Sequence, residues 1–269
     1  GGGGSKGGGG GGGGVFKFSF LLAKKWEEKI DPTGWWMSEK LDGVRSLWTG
    51  EEFVTRNGLP LPAPDFFKQS LPKNMKLDGE LFGGRNNFQT TVSIVKTADA
   101  DRWKKITFKI FDIPSLVDKC FEDRYRAMQQ LPKSTYIEIV EHKQCRGKDH
   151  LMEEMKIVEA VEGEGVMLRQ AKSVYHNGRS STLLKVKNFH DAEAMVIAHE
   201  DGKGKHKGRL GALRCRMPSG VEFKVGSGFS DRQRESPPAI GATITYRYQQ
   251  LTRDGVPRFP TFVGERFDK

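Results

Sequence analysis

The chain has 269 residues and a formal net charge of +10, with 36% hydrophobic and 29% charged residues. That size holds one large domain or two modest ones, and the basic balance favours a polyanionic partner, either nucleic acid or an anionic membrane surface. No apolar run reaches the roughly 20 residues that cross a bilayer, and Cys120, Cys145 and Cys215 are too scattered for a disulfide framework or a structural zinc site.

Residues 1–14 are glycine except for Ser5 and Lys6. Such a segment buries no core and reads as a linker, a tag or an unassigned tail. Residues 15–187 then alternate β-rich runs with turn signals. WWMSEK (35–40) and VRSLWT (44–49) flank Asp42-Gly43, and EEFVT (51–55) precedes Asn57-Gly58. Asp-Gly and Asn-Gly beside β-rich runs read as turns between antiparallel strands. ITFKIFDI (106–113) is a further strand, and helices are expected at 64–70, 118–130 and 150–160. The pattern predicts an α+β domain with antiparallel sheets. Residues 188–269 hold five strand candidates: 192–200, 212–217, 221–226, 242–249 and 258–263. SDRQRES (230–236) forms a short helix between the third and fourth. That arrangement predicts a small OB-fold β-barrel.

Chemistry concentrates in an ordered series: KLDGVR (40–45), TRNG (55–58), LDGELF (77–82), KIFDIP (109–114), EGVML (164–168), LLKVK (183–187) and RFDK (266–269). Taken alone, Lys40 reads as a solvated lysine at a strand end. As a nucleophile it must first lose a proton, against an ordinary lysine value of about 10.4. Arg45 is a donor for a ribose hydroxyl or phosphate. Glu80 is an acceptor for a ribose hydroxyl, as acidic residues are in dinucleotide sites. Phe111 is a platform for a purine, although most such phenylalanines are core. Glu164, with Glu162 competing two residues away, is a candidate ligand for Mg²⁺ or Mn²⁺. Lys185 and Lys187 alternate onto one strand face, leaving Leu184 and Val186 on the other. Two cations there would neutralise a phosphate.

Together these segments resemble motifs I, Ia, III, IIIa, IV, V and VI of the covalent nucleotidyltransferases, which comprise ATP-dependent DNA ligases, RNA ligases and capping enzymes. DPTGWWMSEKLDGVRSLW, GGRNNFQTTVSIV and PPAIGATITYRYQQLTRDGVPRFPTFV are most similar to the minimal bacterial ATP-dependent DNA ligases of the E type. The resemblance covers residues 20–269. It implies an adenylation domain over 15–187, an OB domain over 188–269, ATP with a divalent cation, and nicked duplex DNA as substrate. It implies a lysyl-AMP on Lys40. The backbone beside Glu39 and the ring of Phe111 would hold adenine, and Arg45 and Glu80 the ribose. Glu164 would serve the metal, Lys185 and Lys187 the α-phosphate, and Arg266 and Lys269 the departing pyrophosphate. Arg56 would grip the nick phosphate.

The loop GKGKHKGRLG carries Lys203, Lys205, Lys207 and Arg209, dense charge on flexible glycine that suits DNA phosphates. Arg85 and Arg179 are further DNA candidates. The other readings are an RNA ligase, a GTP-using capping enzyme, and a catalytically silent nucleic-acid-binding subunit. The resemblance implies a monomer without membrane insertion. It allows export to the periplasm, while the residues leave cytoplasm or an organelle open.

Overall fold

The computed structural model describes residues 16–249 and 251–266. The molecule divides at Val186/Lys187 into two compact units. The glycine-rich start and the expected pyrophosphate residue Lys269 lie outside the described residues.

The first unit begins with β1 (Leu21–Lys25), β2 (Trp36–Lys40), β3 (Val44–Trp48), β4 (Phe53–Val54), β5 (Pro60–Leu61) and α1 (Asp65–Lys68). It continues through β6 (Leu77–Phe82), α2 (Phe88–Val95), α3 (Ala100–Trp103), β7 (Thr107–Asp112) and α4 (Phe121–Met128). β8 (Ile137–Ile139), β9 (Lys143–Gln144), α5 (Lys148–Ala160), β10 (Gly165–Arg169) and β11 (Gly178–Lys187) complete it. One sheet has the order β1-β11-β10-β2-β9 and the other β5-β4-β3-β6-β7-β8.

Each sheet buries one face under helices. Alternation along β10 sends Val166 and Leu168 to the outer face of the first sheet. There they join Met37, Leu184 and Val186 against Leu151, Met155 and Val158 of α5. The three helix residues recur at i, i+4 and i+7, the spacing of a single apolar stripe. Burying each contributes roughly 1.5–3 kcal/mol. On the second sheet Phe108 and Ile110 of β7 face a larger core with Phe67, Ile94, Trp103 and Phe121 from α1 to α4. The other faces of the two sheets supply the walls of a shared cleft.

The expected helices appear as α1, α4 and α5, while β1, α2 and α3 fall outside the expectations. The α2 sequence FQTTVSIV is rich in β-branched residues, which favour strands. Burial of Thr91, Ile94 and Val95 overrides that preference.

The second unit contains β12 (His190–Asp201), a 3₁₀ turn at Gly204–His206, β13 (Leu210–Arg216), β14 (Glu222–Val225), α6 (Asp231–Glu235), β15 (Thr243–Tyr248) and β16 (Thr261–Glu265). These strands form one five-stranded sheet in the order β14-β13-β12-β15-β16. The helix between the third and fourth strands is present, with Ser230 and Gln233 forming a capping box. The expected closed barrel is not complete among the described residues. Its edge strands share no ladder; the segments beside them meet through Phe262 N donating to Ser227 O at 2.8 Å, Ser227 Oγ donating to Pro260 O at 3.5 Å, and the stacked rings of Phe229 and Phe262. Gly228, three residues after β14, turns at φ +88° and packs closely against the Phe262 backbone, where a side chain would not fit.

Buried charge joins the two sheets of the first unit. Asp112, at the end of β7, accepts from Arg124 Nε at 2.7 Å, from Arg169 Nη1 and from Ile113 N at 2.8 Å. Burial alone would raise the Asp112 carboxyl, but Arg169 and Arg124 hold it below its usual range. Removing the anion would strand two buried guanidinium groups. Asp112→Ala is therefore expected to destabilise the protein by about 3–5 kcal/mol in urea unfolding.

Candidate active site

The β2–β10 pairing builds the site. Gly165 lies opposite Lys40 and Met167 opposite Ser38. Glu164, one residue before β10, is thereby brought to the strand that ends in Lys40, and its Oε1 lies 3.2 Å from Lys40 Nζ. Lys40 opens onto a cleft of about 270 Å³. Ser38, Glu39, Lys40 and Lys185 line it from the first sheet, and Arg45, Glu80 and Phe111 from the second. Glu162 sits elsewhere, in a left-handed turn at φ 63°, where Asn86 Nδ2 donates to it at 3.0 Å.

Gly43 explains the glycine of KLDGVR. A Cβ there would run into the Leu81 carbonyl, so only glycine lets this backbone close on β6. The approach lets Gly43 N donate to Glu80 Oε2 at 3.1 Å. Burial pushes the Glu80 carboxyl up to about 7, despite the neighbouring Arg45 charge and the Gly43 bond.

Arg45 is gripped by a residue that the sequence reading passed over. Its Nε and Nη2 donate to the two carboxylate oxygens of Asp78 at 2.9 and 2.6 Å. Tyr175 Oη also donates to Asp78, at 2.7 Å, and accepts from Leu21 N. Asp78 is fully buried, so the fork is a fixed one. Asp78 and Glu80 stand two apart in LDGELF and so share a strand face. That spacing was the available signal.

Phe111 is not core. Along β7 its neighbours Ile110 and Asp112 are buried, whereas Phe111 alternates onto the cleft face. Met167 lines the cleft from the opposite sheet, a second unforeseen wall. Lys185 also lines it, with Leu184 and Val186 in the core behind, as their alternation predicts. Lys187 is the last residue of β11 and is not among the cleft-lining residues. No group of three or more His, Cys, Asp or Glu side chains suited to a metal cage occurs among the described residues. Glu164 fits instead a divalent cation shared with phosphate oxygens, which needs one or two protein carboxylates.

The basic candidates separate into engaged and exposed. Arg56 is exposed at the cleft rim, and Arg179 lines the same cleft while donating to Ala23 O at 2.6 Å. Arg85 is clasped by Glu39 through bonds of 2.7 and 2.8 Å, so its fork serves the protein itself. In the second unit Lys203, Lys205 and Lys207 are exposed. Arg209 differs from its three neighbours. His206, Asp231 at 3.0 Å and Glu235 at 3.8 Å occupy it, which makes it a brace between loop and α6. Arg266 is paired with Glu193.

Two family models match the chain. An ATP-dependent DNA ligase domain matches residues 21–187, and a DNA ligase OB-like domain matches residues 201–266. A DNA ligase of Haemophilus influenzae is 42% identical over 235 residues, which is 87% of each chain. A solved structure of a Lig E DNA ligase, from work on DNA binding with a minimal scaffold, is 39% identical. It covers 93% of this chain and 100% of that one, with a TM-score of 0.62. The Chlorella virus DNA ligase-adenylate is 25% identical, covering 93% and 99%, with a TM-score of 0.54. The ligase domain of M. tuberculosis LigD, at 19% identity and a TM-score of 0.67, bears on the fold alone. A cleft built around Lys40 and these matches lead to one conclusion: the chain belongs to the ATP-dependent DNA ligases.

Proposed function

We propose that this DNA ligase seals 5′-phosphate/3′-hydroxyl nicks in duplex DNA through a lysyl-AMP on Lys40. The observation that carries the reading is a lysine paired with a carboxylate, Lys40 with Glu164, in a cleft that also holds Lys185, Glu80 and Phe111. The Chlorella virus enzyme, which matches 93% of this chain, was solved as a ligase-adenylate.

Lys40 Nζ, once deprotonated, attacks the α-phosphorus of ATP. The bond to pyrophosphate breaks and a phosphoramidate forms. Lys185 faces the cleft and would balance the negative charge on the α-phosphate, with Lys187 following on its strand. Glu80 and the Asp78-held Arg45 would fix the ribose, and Phe111 and Met167 would enclose the adenine from opposite sheets. Glu164 would hold a Mg²⁺ ion, which supplies electrostatic neutralisation of the phosphates. An oxygen of the nick 5′-phosphate then attacks the adenylate phosphorus, and Lys40 leaves. The 3′-hydroxyl finally attacks the activated 5′-phosphorus, and AMP departs. Arg56 and Arg179, on the cleft lining, suit the nick phosphate, and Lys203, Lys205 and Lys207 suit the duplex backbone. Arg266 would meet the pyrophosphate only by exchanging Glu193 for it.

A nicked duplex with labelled 5′-phosphate, incubated with ATP and Mg²⁺, is expected to be joined by the wild type and left open by Lys40→Ala. Joining of nicked RNA but not DNA, or use of GTP in place of ATP, would contradict the reading. Replacing Lys203, Lys205 and Lys207 together with serine is expected to weaken binding to nicked DNA. It would also flatten the log–log salt dependence by about 0.9 per lost phosphate contact, which binding titrations at several salt concentrations would show.

Glu80 gives a pH signature. Its folded value, about 7, lies above the ordinary carboxylate value, so the folded state binds the extra proton. Stability then falls as pH rises from about 4.5 to about 7. Glu80→Gln removes this contribution, so the variant is expected to gain stability relative to wild type as pH goes from 5 to 8. Paired denaturation curves at the two pH values test the sign.

A further inference from the structure

Arg169 closes the floor of the cleft. On β10 it shares a face with Gly165 and Met167, and it pairs with Trp36 two steps beyond the Met167–Ser38 pair. From the level of Lys40 to Arg169 the strand advances roughly 13 Å, at about 3.3 Å per residue. A nucleotide with its α-phosphorus at Lys40 and its ribose at Glu80 projects its base along this face, towards Arg169.

The side chain is 4% exposed and still lines the cleft. Nη1 donates to Asp112, and the guanidinium lies 4.9 Å from the centre of the Phe121 ring. Nε is fully enclosed without an acceptor. Nη2 has no acceptor among the described residues either, but it is not among the enclosed polar atoms. On a side chain that lines the cleft, Nη2 is thus a partly accessible donor without a protein acceptor. Asp112 is already shared with Arg124. Its neighbour His142 is kept neutral by burial and the Arg169 charge, its Nδ1 is bonded to Val140 O, and it makes no hydrogen bond to Arg169 among the described residues. A buried cationic N–H without an acceptor is costly, and a ligand that supplies one is favoured.

We propose that Arg169 reads the base, its Nη2 donating to N1 of the adenine held between Phe111 and Met167. This assignment rests on the nucleotide reading given above. The edge of a purine farthest from its glycosidic bond carries N1 and the 6-substituent. In adenine the 6-amino group is a donor, so N1 is the acceptor on that edge. N3 lies on the sugar side and N7 on the five-membered ring. A guanidinium anchored by Asp112 and aimed at the far edge therefore has a single partner on adenine.

The test compares ATP, 1-deaza-ATP and 7-deaza-ATP as donors in formation of the covalent lysyl-nucleotide. In the wild type, 1-deaza-ATP is expected to raise the half-saturating concentration about tenfold or more. The maximal rate would change little, and 7-deaza-ATP would behave like ATP. In Arg169→Met, ATP and 1-deaza-ATP are expected to converge, while Arg169→Lys keeps part of the difference. Because Arg169 also balances Asp112, the wild-type comparison is the primary readout and needs no variant to fold. Equal use of ATP and 1-deaza-ATP, with label on Lys40, overturns the assignment and leaves the lysyl-AMP chemistry standing. A penalty for 7-deaza-ATP alone also overturns it. No label from ATP in protein stripped of bound nucleotide overturns the chemistry and the assignment together.

Discussion

Core and active site depend on one strand register, that of β2 against β10. With Gly165 opposite Lys40, Met167 and Arg169 point into the cleft while Val166 and Leu168 point into the core under α5. A slip of one residue would exchange the two sets, because side chains in a strand have a period of two. It would also carry Glu164 away from Lys40. The same alternation that buries the outer face of the sheet therefore places Lys40, the proposed nucleophile, beside Glu164. Packing energy in α5 is what holds this register, and the chemistry inherits it.

Two cations of the cleft, Arg45 and Arg169, are positioned by buried anions. Asp78 and Asp112 stand opposite each other on β6 and β7. Two unpaired carboxylates so placed would repel and be strongly desolvated. Each is instead taken up by arginine: Asp78 by Arg45, and Asp112 by Arg124 and Arg169. Arg45 and Arg169 both line the cleft, so the arrangement that neutralises the interior also fixes two guanidinium groups on its wall, where the proposed nucleotide would meet them. Such preorganisation reduces the freedom lost when the ligand binds.

Local pattern carried much of this into the sequence. KLDGVR at the head of the ordered series pointed to Lys40 as the candidate nucleophile. Period-two alternation separated Lys185 from Leu184 and Val186, and Asn57-Gly58 marked the turn between the paired strands β4 and β5. Asp42-Gly43, expected between two paired strands, instead carries the chain from β2 in one sheet to β3 in the other. What stayed hidden depends on partners distant along the chain. Arg85 looks like a free DNA contact until folding brings it to Glu39, 46 residues away. Arg209 looks like one more loop cation until α6 delivers Asp231 and Glu235. Met167 is an ordinary apolar residue within EGVML, and only the facing Phe111 makes it a wall. Helix α2 is strand-like in composition and is held by its buried Ile94 and Val95.

The most direct test of the account is the site of covalent attachment. The protein, stripped with pyrophosphate and then incubated with ATP and Mg²⁺, would be digested with trypsin and mapped by mass spectrometry without exposure to acid. A phosphoramidate on Lys40 blocks cleavage there, so the account predicts one adenylate on the peptide spanning residues 30–45. An adenylate on Lys185 or another lysine, or none on a folded protein, would contradict it.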